Sequence, residues 1–273
     1  MKIKYYGTGD GYGIPEPLCS CRLCSYARAH GGRDIRTRSQ ATVGSVMVDC
    51  SVDMPLHTVM YGLDMRDWRH ILFTHDHNDH FDLGQFMSRF TDEENWHLYL
   101  PLAMYDDVKA QVDKVASAPQ KNPPRRVPVL HRVTPYEPFM IGETKITALK
   151  SNHNPHAVIY LIEEAGKAVL WVHDSGLLTE DAKAYLAAHP VHLDYVTMDC
   201  TLGRGSHFTP THMDILECAE TADTLRAAGL ADGSTRFALS HIGHLIDRTH
   251  AELTREAEEF GFEVAYDTME VEI

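Results

Sequence analysis

Phe73-Thr74-His75-Asp76-His77-Asn78-Asp79-His80 closes an apolar run that starts at His70, and the reading of the whole chain turns on this octet. A short run of branched and aromatic residues that gives way to polar ones reads as a strand opening into a loop, and loops at sheet ends are where sites are built. In an extended segment His75 and His77, two residues apart, face the same side. Asp79 and His80 follow as the chain turns toward its next element, so one segment supplies two sets of ligands. Neutral imidazole and carboxylate accept zinc, manganese or iron(II), and cellular supply has a large part in choosing among them.

A two-metal site needs further ligands downstream. Three candidates occur just past strand-like runs: His153 in Ser-Asn-His-Asn-Pro-His, Asp174 in Val-His-Asp-Ser-Gly, and His241 in Leu-Ser-His-Ile-Gly-His. Asp76, Asn78 and His156 are read as solvated or supporting neighbours. A second cluster lies near the start, where Cys19-x-Cys21-x-x-Cys24 follows Gly7-Thr8-Gly9, Gly13 and Pro15. Three thiolates need a fourth ligand to close a tetrahedral structural zinc site. His244 is the candidate, because Ile242-Gly243 lets it and His241 face separate metals.

Around these motifs the chain alternates between strand and helix signals. Strands are expected at Lys2–Tyr6, Ala41–Val48, His70–Phe73, His97–Leu100, Lys145–Leu149, Ala157–Ile162, Ala168–Val172, Tyr195–Met198 and Arg236–Leu239. Helices are expected at Leu83–Phe90, Ala103–Val115, Thr179–Ala188, Met213–Ala228 and Asp247–Phe260, the last two capped by Thr211 or His212 and by Asp247. Glu163–Lys167 has hairpin chemistry, and the proline-rich, basic segment Ala118–Pro128 reads as a surface connection. Two packed sheets covered by helices fit this order.

With 273 residues, 44% hydrophobic and 23% charged, the chain has the composition of a globular protein, and one domain over 1–273 is expected, with the cysteine loop inserted at about 15–35. A net charge of −14 disfavours a long nucleic acid, so a phosphorylated partner should be small. No apolar run reaches the length of a membrane span and the first residues lack a secretory signal, so a cytoplasmic location is expected.

The ordered set His75, His77, Asp79, His80, His153, Asp174 and His241 resembles the metallo-β-lactamase superfamily, in particular its hydrolase and phosphodiesterase members. The resemblance implies an α/β fold of the αββα type, two packed mixed β-sheets flanked by helices, with metals at one edge. It implies that His75, His77 and His153 hold one divalent ion, that Asp79, His80 and His241 hold a second, and that Asp174 bridges them. The cysteine loop, Met198-Asp199-Cys200, Thr211-His212-Met213-Asp214, Phe262-Glu263-Val264 and Asp267-x-Met269-Glu270 are together similar to the PhnP-like phosphoribosyl cyclic phosphodiesterases of the carbon–phosphorus lyase pathway. That likeness implies a homodimer. It also implies that a metal-bridging hydroxide opens phosphoribosyl 1,2-cyclic phosphate or a related nucleotide-like diester. Asp79 and Asp174 then serve catalysis through the metals, and His212 contacts the phosphate.

The stretch Phe81–Pro128 is longer and more basic than the likeness implies, and substrate selection is expected to differ there. Lys150, Arg204 and His207, which lie near site residues in the sequence, are further candidate phosphate contacts, but each reads more readily as a surface residue. Two other functions remain open: a lactone or thioester hydrolase of the same fold, and a non-hydrolytic carrier of the kind found in pyrroloquinoline quinone biosynthesis.

Overall fold

The computed structural model describes residues 1–87, 96–119, 127–206 and 208–273. Its strands, in chain order, are β1 (Lys2–Gly7), β2 (Gln40–Val43), β3 (Val46–Val48), β4 (His70–Leu72), β5 (His97–Pro101), β6 (Val129–Val133), β7 (Phe139–Ile141), β8 (Thr144–Lys150), β9 (Val158–Glu164), β10 (Lys167–Val172), β11 (Tyr195–Asp199), β12 (Arg236–Ser240), β13 (Phe262–Val264) and β14 (Glu270–Glu272). They form two seven-stranded sheets, ordered β14-β1-β2-β3-β4-β5-β6 and β13-β12-β11-β10-β9-β8-β7. Both are mixed: β3 to β6 run parallel, as do β10 to β13, and the remaining pairs are antiparallel.

The helices are α1 (Arg22–His30), α2 (Met54–Tyr61), α3 (Leu102–Ser117), α4 (Glu180–Ala188), α5 (Ile215–Ala227) and α6 (His250–Glu258). Side-chain alternation along the strands builds three apolar layers. On β10, Val169 and Trp171 enter the layer between the sheets with Tyr5, Leu72 and Tyr160. Ala168, Leu170 and Val172 point the other way, against Leu23 of α1, Leu186 of α4, Leu225 of α5 and Leu253 of α6. Ile71 and Leu98 of the first sheet pack outward against Met104, Val108 and Val112 of α3. The result is the expected αββα sandwich.

Several boundaries differ from expectation. Ala41–Val48 is not one strand but two, folded into a hairpin at Gly44, whose φ of 56° is readily adopted without a Cβ. α5 is capped by Asp214 rather than Thr211 or His212: Asp214 accepts from the Leu216 and Glu217 amides while Glu217 reaches back, a reciprocal box that leaves His212 free of the helix. Thr249, not Asp247, caps α6 in the same way through Glu252. Where a helix over Leu83–Phe90 was expected, Leu83–Phe86 form a single 3-10 turn started by Asp82, and 88–90 lie outside the described residues, as does 120–126 of the proline-rich connection. The Glu163–Lys167 hairpin is present, with Ala165 and Gly166 both at positive φ.

Two helices and four strands carried too little signal. α1 lies inside the region read as a cysteine loop and buries only Leu23, Cys24 and Ala27. α2 has a proline as its second residue and buries only His57. β6, β7, β13 and β14 are three to five residues long, too short to establish a period.

Candidate metal centre

β4, β10, β11 and β12 all deliver their C-terminal ends to one edge of the sandwich. His75, Asp174 and His241 stand just past those ends, Asp199 is the last residue of β11, and the β8–β9 connection brings His153 to the same place. Asp174 and His241 hold left-handed backbone, φ 45° and 54°, as does Asp49 after β3, at 60°. Non-glycine residues there cost on the order of 1–3 kcal/mol and persist where the surroundings demand a particular side-chain direction.

All seven residues of the expected set come together, in two groups that share one carboxylate. His75, His77, His153 and Asp174 gather ligand atoms within 4.8 Å of one another, and so do Asp79, His80, Asp174 and His241. Asp174 Oδ2 lies 3.0 Å from His75 Nε2 and 2.8 Å from His80 Nε2, while its Oδ1 lies 3.1 Å from His241 Nε2. His153 Nε2 is 3.3 Å from His77 Nδ1, and Asp79 Oδ2 is 3.2 Å from His80 Nε2. Despite these approaches, the buried His75 Nε2 and Asp174 Oδ1 make no hydrogen bond. Lone pairs that converge in a buried place without hydrogen-bond geometry are what a divalent cation satisfies. The residues therefore fit metal ions.

The electrostatics agree. Burial opposes ionisation of Asp174, yet His241, His80 and His75 outweigh it and hold the carboxyl well below its usual range. Burial likewise opposes charge on His241, but Asp174 and Asp79 raise it to about 9. Protons on imidazoles thus offset buried carboxylates, a task a divalent ion performs without them. His153 is pushed down to about 4, chiefly by burial, and stays neutral as a ligand must.

Residues behind the cluster fix which nitrogen faces inward. Asp49 Oδ2 lies 2.7 Å from His80 Nδ1 and accepts also from the Thr74 hydroxyl at 3.0 Å, so His80 presents Nε2. The Thr201 hydroxyl stands 2.9 Å from His241 Nδ1, and the Thr211 carbonyl 3.3 Å from His153 Nδ1. Such partners set tautomer and ring direction. Neither Asp49 nor Thr201 was singled out from the sequence. Asp49 does follow an apolar strand, the signal that identified Asp174.

His212 sits at the rim, its ring 4.9 Å from that of His153 and 5.8 Å from that of His241. Asp199 Oδ2 lies 2.7 Å from its Nδ1. Burial alone would lower the imidazole, but Asp199 overrides it and raises the pKa above the ordinary value. His212 also lies within the same 4.8 Å span as Asp174, Asp199 and His241, so it borders the second group directly. Arg204 pairs with Glu256 and Glu259 on the surface, as expected, and His207 lies outside the described residues.

The cysteines form a separate cluster. His244 Nδ1 lies 3.3, 3.8 and 3.7 Å from the sulfurs of Cys19, Cys21 and Cys24. The Cys21 amide donates to Cys19 Sγ and the Cys24 amide to Cys21 Sγ, both at 3.4 Å. Burial pushes the Cys24 thiol up to about 12; at Cys21 burial is outweighed by the Cys24 amide and His244, and the thiol falls to about 7. Gly243 keeps the two clusters adjacent: a Cβ there would meet Asp10 Oδ2 at 2.7 Å and the Thr201 carbonyl at 2.9 Å.

Comparison with known proteins agrees with this architecture. A family model described as the beta-lactamase superfamily domain matches residues 45–242, a span that holds the His and Asp cluster but not Cys19, Cys21, Cys24 or His244. The chain belongs to that superfamily, and its fold is the metallo-β-lactamase fold. Its structure is similar to that of a diphosphatase from the PhnP family (TM-score 0.74, 20% identity, covering 100% of this chain and 97% of that one). Zn²⁺-bound PqqB from Methylobacterium extorquens matches equally well (0.74, 20%, both chains fully covered), and human tRNase Z, short form, follows (0.68, 15%, 100% and 99%). At such identities these likenesses speak for the fold. An octanoyltransferase of Porphyromonas gingivalis (strain ATCC BAA-308 / W83) is 24% identical over 245 residues, 80% of this chain and 48% of that protein, so the chain spans about half the length of this curated relative. No described helix is long and apolar enough to cross a membrane.

Proposed function

We propose that the chain is a dinuclear metal-dependent phosphodiesterase, folded as one domain, that opens a small cyclic or nucleotide-like phosphate diester such as phosphoribosyl 1,2-cyclic phosphate. The observation that carries the phosphate assignment is the Asp199–His212 pair. An imidazole held at Nδ1 by a carboxylate 2.7 Å away presents Nε2 at the rim of the cluster, where it binds a phosphoryl oxygen or protonates a departing alkoxide. His75, His77 and His153 would hold one ion, Asp79, His80 and His241 the other, and Asp174 both; Cys19, Cys21, Cys24 and His244 would hold a structural zinc. Divalent ions in such a site supply Lewis acidity, which makes water acidic enough to attack near neutral pH and offsets charge on phosphorus. Asp49, Thr201 and the Thr211 carbonyl keep the imidazole nitrogens aimed inward throughout.

The curated relative's name favours a second reading, acyl chemistry at a lactone or thioester carbonyl. An alkoxide or thiolate leaving an acyl group uses the same cluster but has no need for a cationic imidazole to hold a phosphoryl oxygen. Metal analysis of the purified protein, with turnover of bis-p-nitrophenyl phosphate measured beside lactones and an octanoyl thioester, decides between them. Phosphodiester turnover alone is the expected result. Turnover confined to the acyl substrates overturns the proposal.

A further inference from the structure

Beside the cluster, on the same edge of the sandwich, lies a cleft of about 250 Å³ lined by Pro101, Leu102, Ala103, Pro135, Lys150, Pro155, His156, Ala157 and Val158. β4, β5 and β6 are parallel neighbours, so Pro101 at the end of β5 and Pro135 just beyond β6 stand one and two strands across from the start of the His75 loop. At about 4.8 Å per strand this puts the cleft within roughly 10 Å of His75. The β8–β9 connection joins the two places: His153 faces the cluster, while Lys150 and His156, three residues to either side, line the cleft. The Val158 amide donates to the Thr74 carbonyl at 2.9 Å, which locks this connection against the His75 loop.

Two features show what the cleft lacks. His156 Nδ1 is buried without a hydrogen-bond partner. Lys150, like Lys114, is in no ion pair among the described residues, whereas Lys2, Lys4, Lys109, Lys145, Lys167 and Lys183 each face a carboxylate in this strongly acidic chain. α3 also begins over the cleft with no side chain capping its first amides. A cation, an unsatisfied imidazole nitrogen and a helix start that no side chain caps complement an anion. The three proline rings and Val158 offer flat apolar walls for the ring that carries it.

Resting on the phosphodiesterase reading, we propose that this cleft is a second substrate subsite, in which Lys150 and His156 hold an anionic group, a phosphate or carboxylate, borne by the ring of the substrate away from the scissile phosphorus. Lys150 is then a specificity-determining residue. A substrate bearing one charged group binds at the cluster; a doubly charged one spans both places and binds more tightly.

The probes are thymidine 3′,5′-bisphosphate and thymidine 5′-phosphate, which differ by one remote phosphate and contain no diester to be cleaved. Their affinities for the metal-loaded wild type and for Lys150→Met are measured by calorimetry. A charge-assisted contact predicts a preference for the bisphosphate of about tenfold in the wild type. Lys150→Met, an exposed position, should bring that preference close to one. Equal affinities in the wild type, or a preference that survives in the variant, overturns the subsite. Failure of the protein to hydrolyse any phosphodiester touches only the functional reading, because binding is read without turnover.

Discussion

Replacing Asp199 by asparagine tests what the Asp199–His212 pair contributes, while also removing the acceptor of the Ser175 amide at 3.3 Å. In the wild type, Asp199 accepts from the Thr201 amide at 2.9 Å and hydroxyl at 2.8 Å through Oδ1, and faces His212 Nδ1 with Oδ2. Asparagine has the same shape, and the two Thr201 donors hold its carbonyl oxygen in the Oδ1 position. The amide nitrogen must then face His212 and donate to Nδ1, which removes the anion that stabilised the protonated ring. Losing a charge-assisted hydrogen bond costs about 1.5–3 kcal/mol, which is on the order of 10- to 150-fold in the step it serves. In the proposed phosphodiesterase reaction, that step would be protonation of an alkoxide leaving group. The variant should therefore lose about 10²-fold in kcat on a cyclic or alkyl diester, within the usual range for a general acid, yet remain close to wild type on bis-p-nitrophenyl phosphate, whose leaving group departs without a proton. Steady-state kinetics on both substrates, with metal content measured on the same samples, make the test. Equal losses on the two substrates, or loss of metal, would refute the assignment of His212 to the leaving group.

Asp174→Ala should keep the fold, lose at least one ion per chain and abolish turnover; a variant with two ions and near-wild-type activity would make the shared-carboxylate assignment wrong. His241→Ala should empty the His and Asp cluster while the cysteine site keeps its zinc, and His244→Ala should do the reverse with a lower melting temperature, read by metal analysis and thermal melts. An unchanged zinc count and melt in His244→Ala would count against a zinc held there. Stability should also fall in acid through His57, buried between Thr37 Oγ1 at 2.7 Å and Gln40 Oε1 at 2.5 Å. Burial depresses its pKa from 6.5 to about 4. The unfolded chain therefore takes up the proton first, so this stability is whole above pH 6.5 and declines as pH falls to 4, by about 3 kcal/mol. Urea unfolding of the wild type and His57→Gln across that window should diverge; parallel curves would exclude His57 as the cause.

The clustered His and Asp residues were legible because this architecture places them immediately after strands. An apolar run ending in His or Asp is a local pattern, and His75, Asp174 and His241 each show it. Asp49 shows it too, but its partner, His80, is 31 residues away, and nothing local distinguishes a residue that orients a ligand from one that merely caps a turn. Asp199 is known by its approach to His212 across 13 residues, a contact that depends on α5 starting at Asp214 rather than earlier. The sandwich followed from the strand count, whereas α1 and α2 escaped notice because each buries one narrow strip and is otherwise polar or irregular in pattern. Register, sheet order and the cleft beside Lys150 arise from contacts between distant strands and have no counterpart in local sequence.

His75, His77, Asp79 and His80 leave the first sheet, whereas His153, Asp174 and His241 leave the second. Ions gripped by both would work as a clasp on one rim of the sandwich, added to hydrogen bonds that already cross there, such as those from the Val158 amide to the Thr74 carbonyl and from the Tyr160 hydroxyl to the Phe73 carbonyl. Opening the sheets at that rim would require coordination to break first. Amide exchange near the ends of β4, β10 and β12 should then slow together when metal is added and quicken together when a chelator removes it. The opposite rim, where His70, His97, His131 and Tyr99 stack in a ladder across β4, β5 and β6, would be indifferent to metal. Opening of the molecule would thus acquire a direction, hinged at the histidine ladder and latched at the metals.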